Sequence, residues 1–191
     1  MLLALAYGAL AQQTDESVEA LNDRVLALLR KEQFADAIRL GNHALELSEK
    51  LRGSESPITA ESLNNLAAGY QGAHEFTNAE ALFQRGLSIR EKVLGSEHPF
   101  TARNLNNLGD LYRRNGKAEV ALPFVERGNA INEKVLGPAA AETIISEVNL
   151  ALTYQDLGNY EKAEPVLARA LVASENKFGK DHATTVTVLG H

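Results

Sequence analysis

Apolar residues recur along the chain at the spacing of an amphipathic helix. The clearest segment is LNNLAAGY, residues 63–70, in which the apolar positions follow i, i+3, i+4 and i+7: Leu63, Leu66, Ala67 and Tyr70. This spacing puts them on one stripe of an α-helix. Two adjacent asparagines, Asn64 and Asn65, lie within the segment, although Asn is a poor helix former. The pattern predicts a helix in which the asparagines have a role of their own.

The same pattern returns every 42 residues, as LNNLGDLY at 105–112 and EVNLALTY at 147–154. Threonines and glycines share the period: Thr59, Thr101, Thr143 and Thr185, and Gly53, Gly95, Gly137 and Gly179. A fixed period of this length is the signature of a repeat array. The predicted units are residues 15–56, 57–98, 99–140 and 141–182, and residues 183–191 match only the start of a fifth unit. Because natural arrays end in polar capping repeats, we expect this chain to be truncated.

Each unit is predicted to contain two helices. The second helix of the second unit carries the apolar set Phe76, Ala79, Leu82, Phe83, Leu87 and Ile89. The recurring glycine would end each second helix, since glycine adopts positive φ at little cost. Pro57 and Pro99 would open first helices, where a missing N–H matters little. Pro123 and Pro165 lie about one turn into second helices, so we expect a bend there.

These segments resemble the tetratricopeptide repeat, in the 42-residue variety of kinesin light chains and many bacterial arrays. LNNLAAGY followed by EFTNAEALFQRGLSIREKVLGSEHP carries the resemblance, and LGNYEKAEPVLARAL at 157–171 matches the turn and second helix best. The resemblance covers most of residues 17–191. It implies an all-α, right-handed superhelical solenoid of antiparallel helix pairs, with a concave groove lined by the first helices. In that family, related groove asparagines clamp bound peptides.

Helical rotation suggests a place for the asparagines. At about 100° per residue, Asn65 points nearly opposite the apolar stripe. With Asn107 and Asn149 it would form a ladder along the groove, where carboxamides pair with either half of a peptide group. Alternatively, the asparagines bond to adjacent helices and fix the stacking of repeats, and both roles are compatible. The candidate groove residues are Asn64, Asn65, Arg103, Asn106, Asn107, Asp110, Arg113, Arg114, Asn149 and Gln155.

Specificity would come from groove positions that vary between units. The third unit is charged there, with Arg103, Asp110, Arg113 and Arg114. The fourth unit offers Ile145, Val148, Leu152 and Gln155. Arginines at such positions suit acidic side chains or a terminal carboxylate, although solvated helix surface is an equal alternative. The family's clamp for a chaperone's terminal carboxylate uses a first-unit lysine that is missing here.

The amino-acid composition further limits the partners and the types of site that the chain can have. The chain has 191 residues, 45% of them hydrophobic, and a net charge of −6, which argues against a nucleic-acid partner. It has no cysteine, which excludes thiol catalysis, disulfides and cysteine-ligated zinc. The five histidines are scattered, and the chain contains no zinc-binding helix, phosphate-binding glycine loop or Gly-x-Ser-x-Gly elbow. We expect neither an active site nor a cofactor.

The N-terminal segment MLLALAYGALAQ is apolar and closes on small residues. This predicts a signal peptide at residues 1–11, cleaved after Ala11, and hence export to the periplasm or the medium. The run is too short to span a bilayer. No basic residue precedes it, so the alternative is an apolar helix that docks on the first repeat of a cytoplasmic protein.

The sequence therefore favours a scaffold that binds an extended peptide or a partner domain in its concave groove. The alternative is the N-terminal regulatory region of a larger enzyme, such as a caspase-like peptidase or a nucleotide-binding signalling protein. Bacterial arrays that resemble this one often precede such domains. A third hypothesis is self-association through the incomplete fifth unit at residues 183–191.

Overall fold

Eight α-helices follow one another in the part of the chain that the computed structural model describes, which is residues 17–180 together with His182 and Thr185. They are α1 (Val18–Arg30), α2 (Phe34–Arg52), α3 (Pro57–Gly72), α4 (Phe76–Leu94), α5 (Pro99–Arg114), α6 (Ala118–Leu136), α7 (Ala141–Asp156) and α8 (Tyr160–Phe178). No strand occurs in these residues. The predicted signal peptide and most of the predicted fifth unit lie outside them.

Long and short helices alternate along the array. The first helices α3, α5 and α7 have 16 residues each, and the second helices α2, α4, α6 and α8 have 19. Every helix packs against the next one in the chain, and α1 also packs against α3 and α5 against α7. First helices therefore form one layer and second helices the other. The predicted all-α solenoid of helix pairs is confirmed.

A glycine and a threonine together join each second helix to the next first helix. The glycines after α2, α4, α6 and α8 have φ between 82° and 98°. The carbonyl oxygen of each glycine accepts a hydrogen bond of 2.8–2.9 Å from the Oγ1 of the threonine six residues later. The pairs are Gly53 with Thr59, Gly95 with Thr101, Gly137 with Thr143, and Gly179 with Thr185. The two periodic residue types therefore belong to one recurring turn.

Prolines and polar caps define the starts of α3 and α5. Pro57 and Pro99 occupy the first turns, as predicted. The Ser56 hydroxyl accepts from the backbone N–H of Thr59, and the His98 Nδ1 accepts from that of Phe100. Both bonds satisfy donors that a helix N-terminus leaves free. In contrast to these prolines, Pro123 and Pro165 lie inside α6 and α8, each of which continues through its proline as one helix.

The core lies between the two layers and repeats with the helices. Fully buried side chains at its centre include Leu63, Leu66, Phe83, Leu105, Leu108 and Val125. Tyr112 and Tyr154 are also buried, and their hydroxyls donate hydrogen bonds of 2.9 Å to Glu80 and Glu126. Burial and these carboxylates raise the pKa of both tyrosines. The recurrent tyrosines thus serve packing between the layers.

Candidate functional site

The asparagines of the first helices lie mostly inside the array. Asn64, Asn65 and Asn106 are 6%, 3% and 7% exposed, whereas Asn107 and Asn149 are partly exposed. Simple helical rotation predicts that Asn65 faces an open groove. This prediction is wrong, because Asn65 is buried. The reason is that α3 packs against α1, α2 and α4, which cover most of its circumference.

One asparagine pair links neighbouring first helices. The Nδ2 of Asn107 in α5 donates a 2.8 Å hydrogen bond to the Oδ1 of Asn64 in α3. This contact corresponds to the alternative in which asparagines fix the stacking of repeats. In contrast, the Nδ2 of Asn65 and the Oδ1 of Asn106 are buried without a hydrogen-bond partner among the described residues. Asn106 instead packs tightly against Gly128, where a Cβ would come within 2.9 Å of its carboxamide.

Three of the predicted groove residues, Asp110, Arg113 and Arg114, meet with Gln71 and Asp156 in one charged cluster. Asp110 in α5 accepts hydrogen bonds from Gln71 at 2.7 Å, Arg113 at 2.9 Å and Arg114 at 2.7 Å. Arg113 also reaches Asp156 in α7 at 3.4 Å. The cluster therefore spans α3, α5 and α7. The side chains of Asp110 and Arg113 are about one-fifth exposed, whereas those of Arg114 and Asp156 are 59% and 43% exposed. Arg114 is therefore the more accessible arginine of the cluster.

A second row of side chains lies nearer the start of the same helices. Glu61, Arg103 and Ile145 occupy equivalent positions of α3, α5 and α7 and are all substantially exposed, Ile145 by 53%. An Arg103 nitrogen lies 4.0 Å from a Glu61 carboxylate oxygen, and the guanidinium lies over the Phe100 ring at 5.0 Å. Along this row the surface changes from acidic to basic to apolar.

The apolar residues predicted for the groove in the fourth unit differ in how exposed they are. Ile145 is exposed, Leu152 is half-buried, and Val148 is 7% exposed and belongs to the core. Asn149 and Gln155 are partly exposed beside them on α7. The accessible surface of α7 is therefore apolar with amide groups next to it.

Arg90 is a charged residue that the sequence reasoning missed. It lies at the end of α4, is 2% exposed, and its Nη1 donates a 2.9 Å hydrogen bond to the Phe100 carbonyl oxygen. Burial, with a smaller contribution from nearby Arg103, lowers the pKa of Arg90 to about 10, and Glu61 opposes this change. The other units have Ser48, Asn132 and Ser174 at its position. An alignment of the units would have singled it out.

Glu147 is a second buried charge that was missed. It is 2% exposed in α7, at the position of Leu21, Leu63 and Leu105 in the other units. Arg169 of α8 contacts its Oε1 through Nε at 3.1 Å and Nη2 at 2.9 Å. Burial raises the pKa of the Glu147 carboxyl, and Arg169 partly counteracts that. A cavity of about 480 Å³ lies beside this pair on the side of the second helices.

The described part of the chain contains no group of three or more His, Asp or Glu side chains placed to hold a metal ion. None of the described helices combines the length and apolar character needed to cross a membrane. The candidate site is thus a surface of amides, arginines, carboxylates and aliphatic side chains on the first helices. Such a surface suits contact with another polypeptide.

A tetratricopeptide repeat family model matches residues 16–92, 62–134 and 142–191, which together make up most of the chain. The chain belongs to the tetratricopeptide repeat family. A search of curated proteins gives no match. Membership of this family supports a role as a protein–protein interaction scaffold.

Several solved structures share this fold. A Podosopora anserina putative kinesin light chain with nearly identical repeats is 23% identical, with a TM-score of 0.75, over 90% of this chain and 81% of that one. BtubC (BKLC) from P. vanneervenii is 24% identical, with a TM-score of 0.73, over 88% and 69%. Aspartyl phosphate phosphatase F from Bacillus subtilis is 16% identical, with a TM-score of 0.72, over 90% and 43%. The predicted likeness to kinesin light chain repeats is confirmed at the level of fold.

Proposed function

We propose that the face formed by α3, α5 and α7 binds an extended peptide or a partner domain of another protein. This proposal rests on a contrast between the buried core and the exposed face of these helices. Core positions repeat with the array, whereas the exposed row changes from Glu61 to Arg103 to Ile145. A surface with a different side chain at each step can recognise an ordered series of side chains in a ligand.

Amide groups on the same face would hold the ligand backbone. Asn107 and Asn149 are partly exposed, as is Gln155. A carboxamide donates and accepts, so it can bond to a peptide group regardless of the ligand's side chains. Each such bond adds about 1 kcal/mol net, so several must act together. Arg114, at the exposed side of the Asp110 cluster, would add a charge-assisted bond to an acidic ligand group.

The test begins with a random peptide library selected on the purified chain, followed by calorimetry with the selected peptides. The groove variant carries Arg103→Glu, Ile145→Ser and Asn149→Ala. We expect the dissociation constant to rise about tenfold or more, because a charge, an apolar contact and an amide are lost together. The matched control carries Arg127→Glu and Lys134→Ala, two exposed changes on α6. Circular dichroism and thermal melts check that both variants fold.

The proposal predicts that only the groove variant binds more weakly. If the α6 control loses affinity while the folded groove variant binds like the original chain, the binding face lies on the second helices and the proposal is wrong.

A second candidate is a regulatory repeat region within a larger enzyme. It is favoured by the match to aspartyl phosphate phosphatase F, where the aligned part makes up 43% of that protein. An array of this size therefore occurs inside a longer chain named for an enzyme activity. Intact mass and peptide mapping of the natural product separate the two candidates. A product far larger than 20.7 kDa with a catalytic domain favours regulation.

A further inference from the structure

Two arginines line one small cavity beside the first helices. The cavity has a volume of about 200 Å³ and lies between the starts of α3 and α5 and the end of α4. Arg90, Arg103 and Glu61 contribute its charged groups, and Phe100 and Ile58 are among its apolar walls. Arg103 and Glu61 also belong to the exposed row of the proposed groove, so the cavity lies next to the path of a bound peptide.

Arg90 is buried without a direct ion pair among the described residues, and Glu61 acts on it only at longer range. Arg90 is 2% exposed, yet no carboxylate of the described residues lies within 4.0 Å of its guanidinium, and Glu61 pairs with Arg103 instead. The acceptor that Arg90 reaches among the described residues is the neutral Phe100 carbonyl. A guanidinium carries five N–H donors. Buried charges in folded proteins are normally paired, so this arrangement favours an anion from outside the chain.

The charge of Arg90 is not needed for the structural hydrogen bond. One unit later, the Nδ2 of Asn132 donates to the Glu142 carbonyl at 3.2 Å. Glu142 is the repeat equivalent of Phe100, so the two bonds are the same contact. A neutral carboxamide therefore suffices at this position, and the positive charge in the second unit has another use.

We propose that this cavity binds one carboxylate of the peptide held by the groove, with Arg90 and Arg103 as its donors. The proposal rests on the proposed function only for the source of the carboxylate. With Glu61 counted, the cavity carries one surplus positive charge, which matches a monoanion rather than a dianionic phosphate. The planar guanidinium edge of Arg90 also fits the two oxygens of a carboxylate.

The site is tested with small probes, by following the arginine side-chain N–H signals in ¹⁵N-edited NMR spectra. The probes are sodium acetate, inorganic phosphate, a capped tripeptide amide with one glutamate, and an acetylated trialanine with a free C-terminus. We expect acetate to shift the Arg90 and Arg103 signals saturably, and more strongly than phosphate. Binding of the glutamate peptide identifies a side-chain carboxylate as the ligand group, and binding of the trialanine identifies a chain terminus.

Two variants copy residues that the array already uses. Arg90→Asn keeps the donor found at Asn132 and removes the charge, and Arg103→Ile copies Ile145 at an exposed position. Each should weaken binding of the responding carboxylate probe about tenfold or more, because a charge-assisted hydrogen bond is lost. Arg85→Asn is the control, since Arg85 is an exposed arginine of α4 that pairs with Glu49 of α2 in the layer of second helices. It should bind the probe like the original chain.

The proposal is overturned if no carboxylate probe shifts these signals saturably, or if phosphate binds more tightly than acetate. Equal affinity of the Arg103→Ile variant and the original chain would also overturn it, and that variant keeps the test valid should Arg90→Asn not fold. Because the probes are not groove ligands, a negative result leaves peptide binding by the groove standing. Conversely, loss of groove binding with normal acetate binding would contradict the proposed function and leave the carboxylate site standing.

Discussion

Asn107 and Asn64 join carboxamide to carboxamide across two repeats, with 2.8 Å between Nδ2 and Oδ1. Asn64 is buried and Asn107 is partly exposed. The bond ties α5 to α3 on the side of the first helices. Asn107, which the sequence assigns to a ligand ladder with Asn65 and Asn149, therefore also links its repeat to the preceding one through Asn64.

Removing this bond should cost stability. We expect Asn107→Ala to lower the free energy of unfolding by about 1–2 kcal/mol, because the buried Asn64 oxygen loses its donor. Urea unfolding of Asn107→Ala, Asn64→Ala and the double variant gives the coupling energy. Asn149→Ala, at the equivalent position of α7, is the control and should cost less. A coupling energy of zero between Asn64 and Asn107 would contradict the stacking role.

The threonine that follows each glycine should contribute a similar amount. Thr101 donates from Oγ1 to the Gly95 carbonyl at 2.9 Å and is fully buried. Thr101→Val keeps the shape but removes the closer donor to that carbonyl, which also accepts from the His98 backbone N–H at 3.4 Å, so we expect a loss of about 1–2 kcal/mol. Thr101→Ser keeps the hydroxyl and should lose less. Thermal and urea unfolding of the two variants compares them directly, and equal stability of the valine variant would show that the bond is not stabilising.

Periodicity predicts the helices well because packing imposes it. Leu63 and Leu105 must fill the same space in successive units, so their spacing reveals the repeat and the layers. The same holds for Gly95 and Thr101, which form one turn. Features that every unit needs can therefore be read from a single chain.

Exposure of the asparagines is harder to predict, because it depends on neighbouring helices rather than on the helix itself. Asn65 faces away from the apolar stripe of α3 but is covered by adjacent elements. Arg90 and Glu147 escape a search for periodic residues because each is an exception to the period. Comparing each unit with the others position by position finds such exceptions, and the structure then shows whether they are buried.

The Asp110 cluster should stabilise the contact between α3 and α5. Asp110→Asn removes the charge that holds Arg113 and Arg114, and we expect a loss of about 1–2 kcal/mol on urea unfolding, because hydrogen bonds to charged groups are stronger than neutral ones. The control is Asp36→Asn, which breaks an exposed pair with Arg39 and should cost under about 0.5 kcal/mol. Equal losses in the two variants would show that the cluster adds no more than a surface ion pair.

Glu147 should make the fourth unit less stable than the same unit would be with leucine at this position. Replacing a buried ion pair by a well-packed apolar residue is often neutral or stabilising by about 1–4 kcal/mol. Leu105 shows that the architecture accepts leucine at the equivalent position. We therefore expect Glu147→Leu to raise the free energy of unfolding at neutral pH. Glu142→Leu, an exposed change on the same helix, is the control and should have little effect.

The pH dependence of that gain has a defined sign. Burial raises the pKa of Glu147 above its ordinary value of 4.5, so the folded state binds this proton more tightly than the unfolded chain. The contribution of Glu147 to stability therefore falls as pH rises from about 4.5 through the raised pKa. The Leu variant lacks this loss, so its advantage over the original chain should shrink as the pH is lowered across that range. Urea unfolding of both proteins at several pH values measures it, and an advantage that grows on acidification would contradict the burial of this carboxyl.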